Sequence, residues 1–423
     1  MRTFLIIWVG QFASLLGSEM TNFAITIWAW EVTGQATPMS FILAITQIPR
    51  LLISPFAGIW VDRFNRKYLM LLGDLVAGLS TLGLLALLLT DQLQIWHLYL
   101  SGAVNGLFGY LQKLAYSASV SSLVAQQHYT RVSALESLQL SSSYVLVPAI
   151  TGIIYGITGL RGILLVDVMT FVVAIATLSR VSVPQPAAQA AAPGLRSQLT
   201  FGLHYVWQRP GLKALLSFFL ISNFIDSASF AILPAMVLAR SNNNVTLWST
   251  LFTLFGVGGI LGGLTISLRK SPKRHIHRML MANAIWKGGL IVLALAQQTW
   301  HKIGAALISG FCSPFPDSSS QAIWMAKVEP GVQGRVFATR FFLTQLATPL
   351  GSAIAGPLAD TVFEPAMRSR GYLAGLLSSI FGNGIGAGMA VQMTLFASCG
   401  VVFSISGYGV RRLRELEITS SLY

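Results

Sequence analysis

The chain has 423 residues, 54% of them hydrophobic and only 10% charged, with a mean hydropathy of +0.66 and a net charge of +14. That is more apolar surface than one water-soluble core can bury, at about half the charge density of an ordinary soluble domain. A soluble enzyme or binding module is excluded, and an all-α membrane protein is implied.

A helix that crosses a bilayer needs about twenty apolar residues. Twelve such runs are predicted, over residues 4–30, 39–61, 68–89, 95–116, 134–157, 162–178, 212–238, 247–268, 279–296, 303–325, 341–362 and 389–410. The first follows Met1 and Arg2, contains Glu19 and lacks a small-residue cleavage site, so it reads as a retained span with its N-terminus inside.

Between the second and third runs, GIWVDRFNRK (residues 58–67) concentrates four charges in one short loop. Between the sixth and seventh lies an Ala- and Pro-rich stretch, residues 184–198, without apolar periodicity. It divides the chain six and six: residues 1–181 as an N-terminal bundle, 182–211 as a linker, 212–410 as a C-terminal bundle and 411–423 as a tail. Within LTFGLHYVWQRPGL, Leu199, Leu203, Val206 and Trp207 fall near one helical face beside His204 and Arg209. That suggests a helix lying in the membrane interface, with a solvated loop as the alternative.

Small residues four apart recur every third span: Ser54 and Gly58, Gly152 and Gly156, Gly258 and Gly262, Ser352 and Gly356. Such pairs let helix backbones approach, so four equivalent helices are expected to make close contacts.

The basicity is topological. Twenty of the 28 lysines and arginines fall in segments expected inside, five in segments expected outside and three within spans. This is the bias that orients membrane proteins, and it removes the case for a nucleic-acid partner. Cys312 and Cys399 both lie in predicted spans, so neither a disulfide nor a metal-ligand pattern is expected. No phosphate-binding loop, zinc-protease motif or serine-hydrolase elbow occurs, and neither a cofactor nor an enzymatic activity is expected.

Charges inside spans are functional candidates, because each costs several kcal/mol at bilayer depth unless water or a partner meets it. They are Glu19, Arg50, Asp74, Lys113, Asp167, Asp226, Lys287 and Asp317. Asp74 reads as a partner for the loop arginines and Asp167 as a structural hydrogen-bonding group. In SPFPDSSSQ two prolines interrupt the helix next to Asp317.

The loop form Gly58-x-x-x-Asp62-Arg63-x-x-Arg66-Lys67 resembles the loop motif of the major facilitator superfamily, and LVPAITGIIYGITGLRGILLVDVMTF, SQAIWMAKVEPGVQGRVFATR and TPLGSAIAGPLAD resemble its macrolide-efflux and siderophore-exporter branch. One departure is Val147-Pro148 where drug antiporters of the family carry a Gly-Pro pair. The resemblance implies twelve transmembrane helices in two pseudo-symmetric six-helix bundles and, with Asp62 at the end of span 11, a latch between them. Spans 1, 4, 7 and 10 line the cavity in that fold, which makes Glu19, Lys113, Asp226 and Asp317 one ionisable group for each lining helix. It further implies proton-coupled export of a small amphipathic compound by a monomer in a bacterial inner membrane, both termini cytoplasmic. Glu19, Asp226 and Asp167 are then candidates for coupling, and Lys113, Asp317, Arg50 and Phe224 for the substrate cavity. A lipid or lysophospholipid transporter of the same fold, or a membrane receptor without transport, stays open. The partners expected are the bilayer, the cargo and protons.

Overall fold

The structure is a computed structural model that describes residues 1–181, 183, 195–269, 274–368 and 371–418, without the side chains of Arg2, Ile59, Asp62, Ser121, residues 195–199 and Ile418. Most of the linker and the basic residues 270–273 lie outside the described set. The described residues contain helices and no strand: α1 (Arg2–Thr33), α2 (Ala36–Arg63), α3 (Arg66–Leu89), α4 (Ile95–Leu123), α5 (Tyr129–Ser179), α6 (Leu195–Trp207), α7 (Pro210–Arg240), α8 (Val245–Leu268), α9 (His275–Leu295), α10 (Thr299–Cys312), α11 (Pro314–Lys327), α12 (Gln333–Leu358), α13 (Glu364–Met367), α14 (Ala374–Phe381), α15 (Ala387–Ser406) and α16 (Arg411–Ile418). A π turn, Ala359–Phe363, joins α12 to α13.

Local chemistry sets the boundaries. Gly34 closes α1 in the left-handed region at φ 59°, its N–H bonded to the Trp30 carbonyl. Asn65 starts α3 by accepting the Lys67 N–H at 2.9 Å. The 51-residue α5 is two helices in series, because Gly159 at φ 62° and ψ −159° leaves the helical region where the fifth run was expected to end. Pro314, at the first position of α11, has no N–H to continue the ladder, and the chain breaks at Ser313.

Among the described residues, eight helices are long and apolar enough to cross a membrane by length and composition, one of them a 54-residue stretch that contains Gly159. α10 and α11 fall short because the break divides them into 14-residue pieces. α4 is long enough but carries Asn105, Gln112 and Lys113.

The helices form two compact units, one of Met1–Gly34 and Phe41–Ala192, the other of Gln35–Ser40 and Pro193–Tyr423. In unit 1, α1 packs along α5, and α3 lies against α4 and α5. Ile7, Met70, Ala115 and Leu178 from these four helices meet in one buried cluster. In unit 2, α7 packs against α12 and α15, while α9 contacts α10 and α15. Leu212, Met279, Trp324 and Val336 form its core.

The small-residue pairs behave unequally. A Cβ at Gly258 would lie 2.4 Å from the Leu307 carbonyl, one at Gly262 2.2 Å from the Phe311 carbonyl, and one at Gly356 2.5 Å from Thr37 Cα. At Gly58 and Gly156 it would meet nothing within 4 Å, so equivalent close contact at every third span is not found among the described residues. Spacing reveals which helix face is smooth, whereas a neighbouring backbone must also be there to use it.

Residues 195–207 are helical, as α6. Tyr205 and Val206 are buried against unit 2, while Leu203 and Trp207 are exposed. Arg209 stacks 3.5 Å over the Tyr205 ring and pairs with Glu329 at 3.3 Å.

Candidate functional site

The helices of unit 1 carry two polar groups of different character. The first is charged. Glu19 on α1, Arg50 on α2 and Lys113 on α4 lie within electrostatic range of one another, and Asn22 hydrogen-bonds the Glu19 carboxylate. Glu19 and Lys113 are exposed and Arg50 is partly buried. The Arg50 guanidinium stands 5.6 Å from the Tyr110 ring centre, a cation–π distance. Tyr144 of α5 also lies within reach of Glu19 and Arg50. Two cations and one acid thus share an aromatic surface.

The second group is buried. Asp74 on α3 is 1% exposed and accepts from Gln11 Nε2 at 2.8 Å, Gln112 Nε2 at 2.6 Å and Ser14 Oγ at 3.3 Å. The expected pairing of Asp74 with loop arginines is therefore incorrect: its position in α3 turns it toward α1 and α4. Asp167 on α5 accepts from Thr21 at 2.9 Å, Thr81 at 2.8 Å and Ser18 at 3.4 Å. Gln11, Ser14, Ser18 and Thr21 follow helical spacing, so one stripe of α1 serves both acids.

In unit 2 the charges pair directly. Lys287 of α9 has no exposed surface, and its ammonium lies 2.9 Å from the Asp226 carboxylate of α7. It also donates to Asn283 Oδ1 at 2.7 Å and Ser222 Oγ at 3.0 Å. The Trp286 indole donates to Asp226 at 3.2 Å. A Cβ at Gly400 would stand 2.3 Å from Lys287 Cδ, so that bare stretch of α15 makes room for the lysine stem. Asp317, in the first turn of α11, lies within electrostatic range of Arg340 and Asp226. Arg340 sits in α12 and donates to Gln321 at 2.8 Å and Ser320 at 3.2 Å. Phe224 is partly buried on α7, its carbonyl accepting from Ser227 at 3.0 Å.

At the start of α3, the Arg66 guanidinium donates to the Ala118 carbonyl at 2.6 Å and Ser122 at 3.4 Å. Lys67 Nζ donates to the Ser179 carbonyl at 3.0 Å. Both cations thus neutralise carbonyls near helix C-termini, where a positive charge is favoured. Arg63 is exposed, and the Asp62 side chain lies outside the described residues.

Residues 7–352 match the Major Facilitator Superfamily. The chain belongs to the major facilitator superfamily. It is accordingly a multi-pass membrane transporter rather than an enzyme. It is 26% identical over 365 residues to macrolide efflux protein A of Streptococcus pyogenes, across 85% of this chain and 90% of that protein. With the multidrug efflux pump Tap of Mycobacterium tuberculosis it shares 23% identity over 365 residues, or 82% and 86% of the two chains. The solved nucleoside transporter NupG matches at a TM-score of 0.73 and 13% identity over 100% of both chains. An inward-facing bacterial homolog of the human lysosomal transporter Spinster matches at 0.72 and 13% identity, over 99% of this chain and 97% of that one. At such identities these likenesses establish the superfamily's fold and no more.

One site escaped the reading of the loop motif, although its signal was present. Ser54, Ala57, Gly58 and Asp62 recur at the same spacing as Ser352, Ala355, Gly356 and Asp360. The second copy ends in the π turn, where the Asp360 carboxylate accepts the Ala36 N–H at 3.0 Å, the Thr37 N–H at 2.8 Å and the Thr37 hydroxyl at 2.5 Å. It caps the positive end of α2 from within unit 2. Four residues on, Glu364 accepts the Met389 N–H at 2.8 Å and does the same for α15. Replacing Asp360 by Ala should cost about 0.5–2 kcal/mol, the range for removing a helix cap. Thermal unfolding in detergent checks this, and Thr37→Val in the Asp360→Ala background should add almost nothing.

Proposed function

We propose that the chain is a proton-coupled exporter of a small, largely apolar, amphipathic compound of macrolide-like class, a monomer in a bacterial cytoplasmic membrane with both termini in the cytoplasm. The observation that carries this reading is Glu19. It is an exposed carboxylate in mid-course of a 32-residue helix, with Arg50 and Lys113 in charge range and Tyr110 and Tyr144 beside it. An acid so placed in a spanning helix is retained only where it meets water or a partner, and a carboxylate that meets both can exchange protons. The aromatic rings suit an apolar or cationic cargo. The two efflux relatives support export as the direction and macrolides as the class to test first.

In this reading Glu19 carries the coupling proton, with Asp226 and Asp167 as further coupling groups. Arg50, Lys113, Phe224 and Asp317 contact cargo, Asp317 orienting it. The segment of Gly58, Asp62, Arg63, Arg66 and Lys67 stabilises one conformation of the transport cycle, for which the carbonyl bonds of Arg66 and Lys67 provide support.

The test is uptake of a labelled macrolide into proteoliposomes under an imposed pH gradient. The wild type should concentrate the macrolide and lose that ability when a protonophore is added. Glu19→Gln should still exchange it at equal pH but no longer respond to the gradient. A wild type that ignores the gradient, or leaves the macrolide where it was, overturns the reading.

A further inference from the structure

Asp74 and Asp167 are both buried acids held by neutral partners, but of the two only Asp74 meets carboxamides, where Asp167 meets hydroxyls. The three partners of Asp74, Gln11, Gln112 and Ser14, are all neutral. Among the described residues, ion pairs within 4 Å join Arg209 to Glu329, Lys287 to Asp226 and Arg411 to Glu415, and none includes Asp74. A fully buried carboxylate without a cation is costly, which favours its binding a proton.

The chemistry of the partners decides whether that proton can come and go. A primary amide carries a carbonyl acceptor and an NH₂ donor on one plane, and a hydroxyl both donates and accepts. If Gln11 turns its amide over, the N–H that served the carboxylate is replaced by a C=O that accepts from the carboxylic O–H. Gln112 Nε2 also donates to Gln11 Oε1 at 3.0 Å, so the two amides form one chain whose direction can reverse. With both amides reversed, Gln112 Oε1 accepts from Gln11 and the Asp74 Oδ1 keeps the Ser14 hydroxyl as its donor, so each group retains a partner with the proton on or off. Asp226 differs in that two of its three donors, Lys287 and Trp286, can only donate, and one of them is a cation.

The site is also built to hold this chain in place. Gly73 precedes Asp74, and a Cβ there would lie 2.6 Å from Gln112 Cβ and 2.8 Å from its Oε1. The Gln112 side chain therefore lies across bare backbone beside the acid. Other charges on the packed elements are engaged elsewhere: Lys113 of α4 is exposed near Glu19 and Arg50, and Asp167 of α5 is held by Thr21 and Thr81.

We infer that Asp74 is a reversible proton-binding site of unit 1, with the Gln11–Gln112 amide pair as the switch that accommodates both protonation states. On loading, a proton from water forms an O–H bond at the carboxylate and Gln11 and Gln112 invert together. On release the bond breaks, the proton returns to water and both amides turn back. That this proton serves transport rests on the reading proposed above, whereas the site itself does not.

Difference infrared spectroscopy of the reconstituted protein, stepped in pH without cargo, reads the site directly. The wild type should show a carboxylic C=O band that grows as pH falls. Asp74→Asn should remove it, Asp74→Glu should move its frequency, and Glu19→Gln should leave it in place. Asp74→Glu keeps the assignment possible should Asp74→Asn fail to fold. A spectrum in which every titrating band survives both Asp74 substitutions, or in which the Asp74 band does not change with pH, overturns the inference. Macrolide transport indifferent to the pH gradient, in a protein whose Asp74 band titrates, sinks the proposed function and leaves the proton site standing. Gradient-driven transport with no titrating Asp74 band does the reverse.

Discussion

Asp226→Ala is expected to destabilise the protein by about 3–5 kcal/mol, and Lys287→Met by less, although both break the same ion pair. The asymmetry follows from exposure. Lys287 has none, whereas the Asp226 side chain is 29% exposed. Removing the aspartate leaves an ammonium buried with only Ser222 and Asn283 as partners. Removing the lysine leaves a carboxylate that can hydrate and keeps the Trp286 donor. The double replacement, Asp226→Ala with Lys287→Met, should recover most of the loss, because no uncompensated charge remains. Thermal unfolding of the four proteins in one detergent checks the cycle. Equal losses in the two single variants would show that exposure does not govern the pair. For the same reason, loss of transport in Asp226→Asn reports on coupling only if the variant remains folded.

The second large effect is expected where α8 meets α10. A Cβ at Gly258 would come within 2.4 Å of the Leu307 carbonyl and 2.7 Å of the Phe311 N, and one at Gly262 within 2.2 Å of the Phe311 carbonyl. The obstructing atoms are backbone and cannot swing aside, so the two helices must separate. Gly258→Val and Gly262→Val should each cost about 1–3 kcal/mol, the usual penalty for overpacking. Gly263 is one residue along and a Cβ there meets nothing within 4 Å, so Gly263→Ala should be neutral or slightly stabilising. If all three substitutions behave alike, the effect comes from helix propensity rather than from the close approach.

Periodicity and charge along the chain determined a good deal by themselves. Apolar runs of spanning length mark the helices, because the backbone in lipid must satisfy its own hydrogen bonds and helices do so within one segment. The breaks at Gly159 and Pro314 were legible for a similar reason: each is a local restriction on backbone geometry or donors. The superfamily was legible in the spacing of residues 58–67.

Only the tertiary structure decided which polar groups meet. Asp226 and Lys287 are 61 positions apart, and Gln11 and Asp74 are 63 apart. Nothing local ties such residues together, since their contact depends on the rotation of each helix about its axis, which packing against several neighbours sets at once. That rotation turned Asp74 toward Gln11 and Gln112 instead of the loop arginines, and Arg340 toward Ser320 and Gln321. It also gave Gly262 a backbone to rest on and left Gly58 with none within 4 Å. A charge or a small residue in a span is thus visible in sequence as a demand, whereas the atom that meets it is supplied by a distant helix.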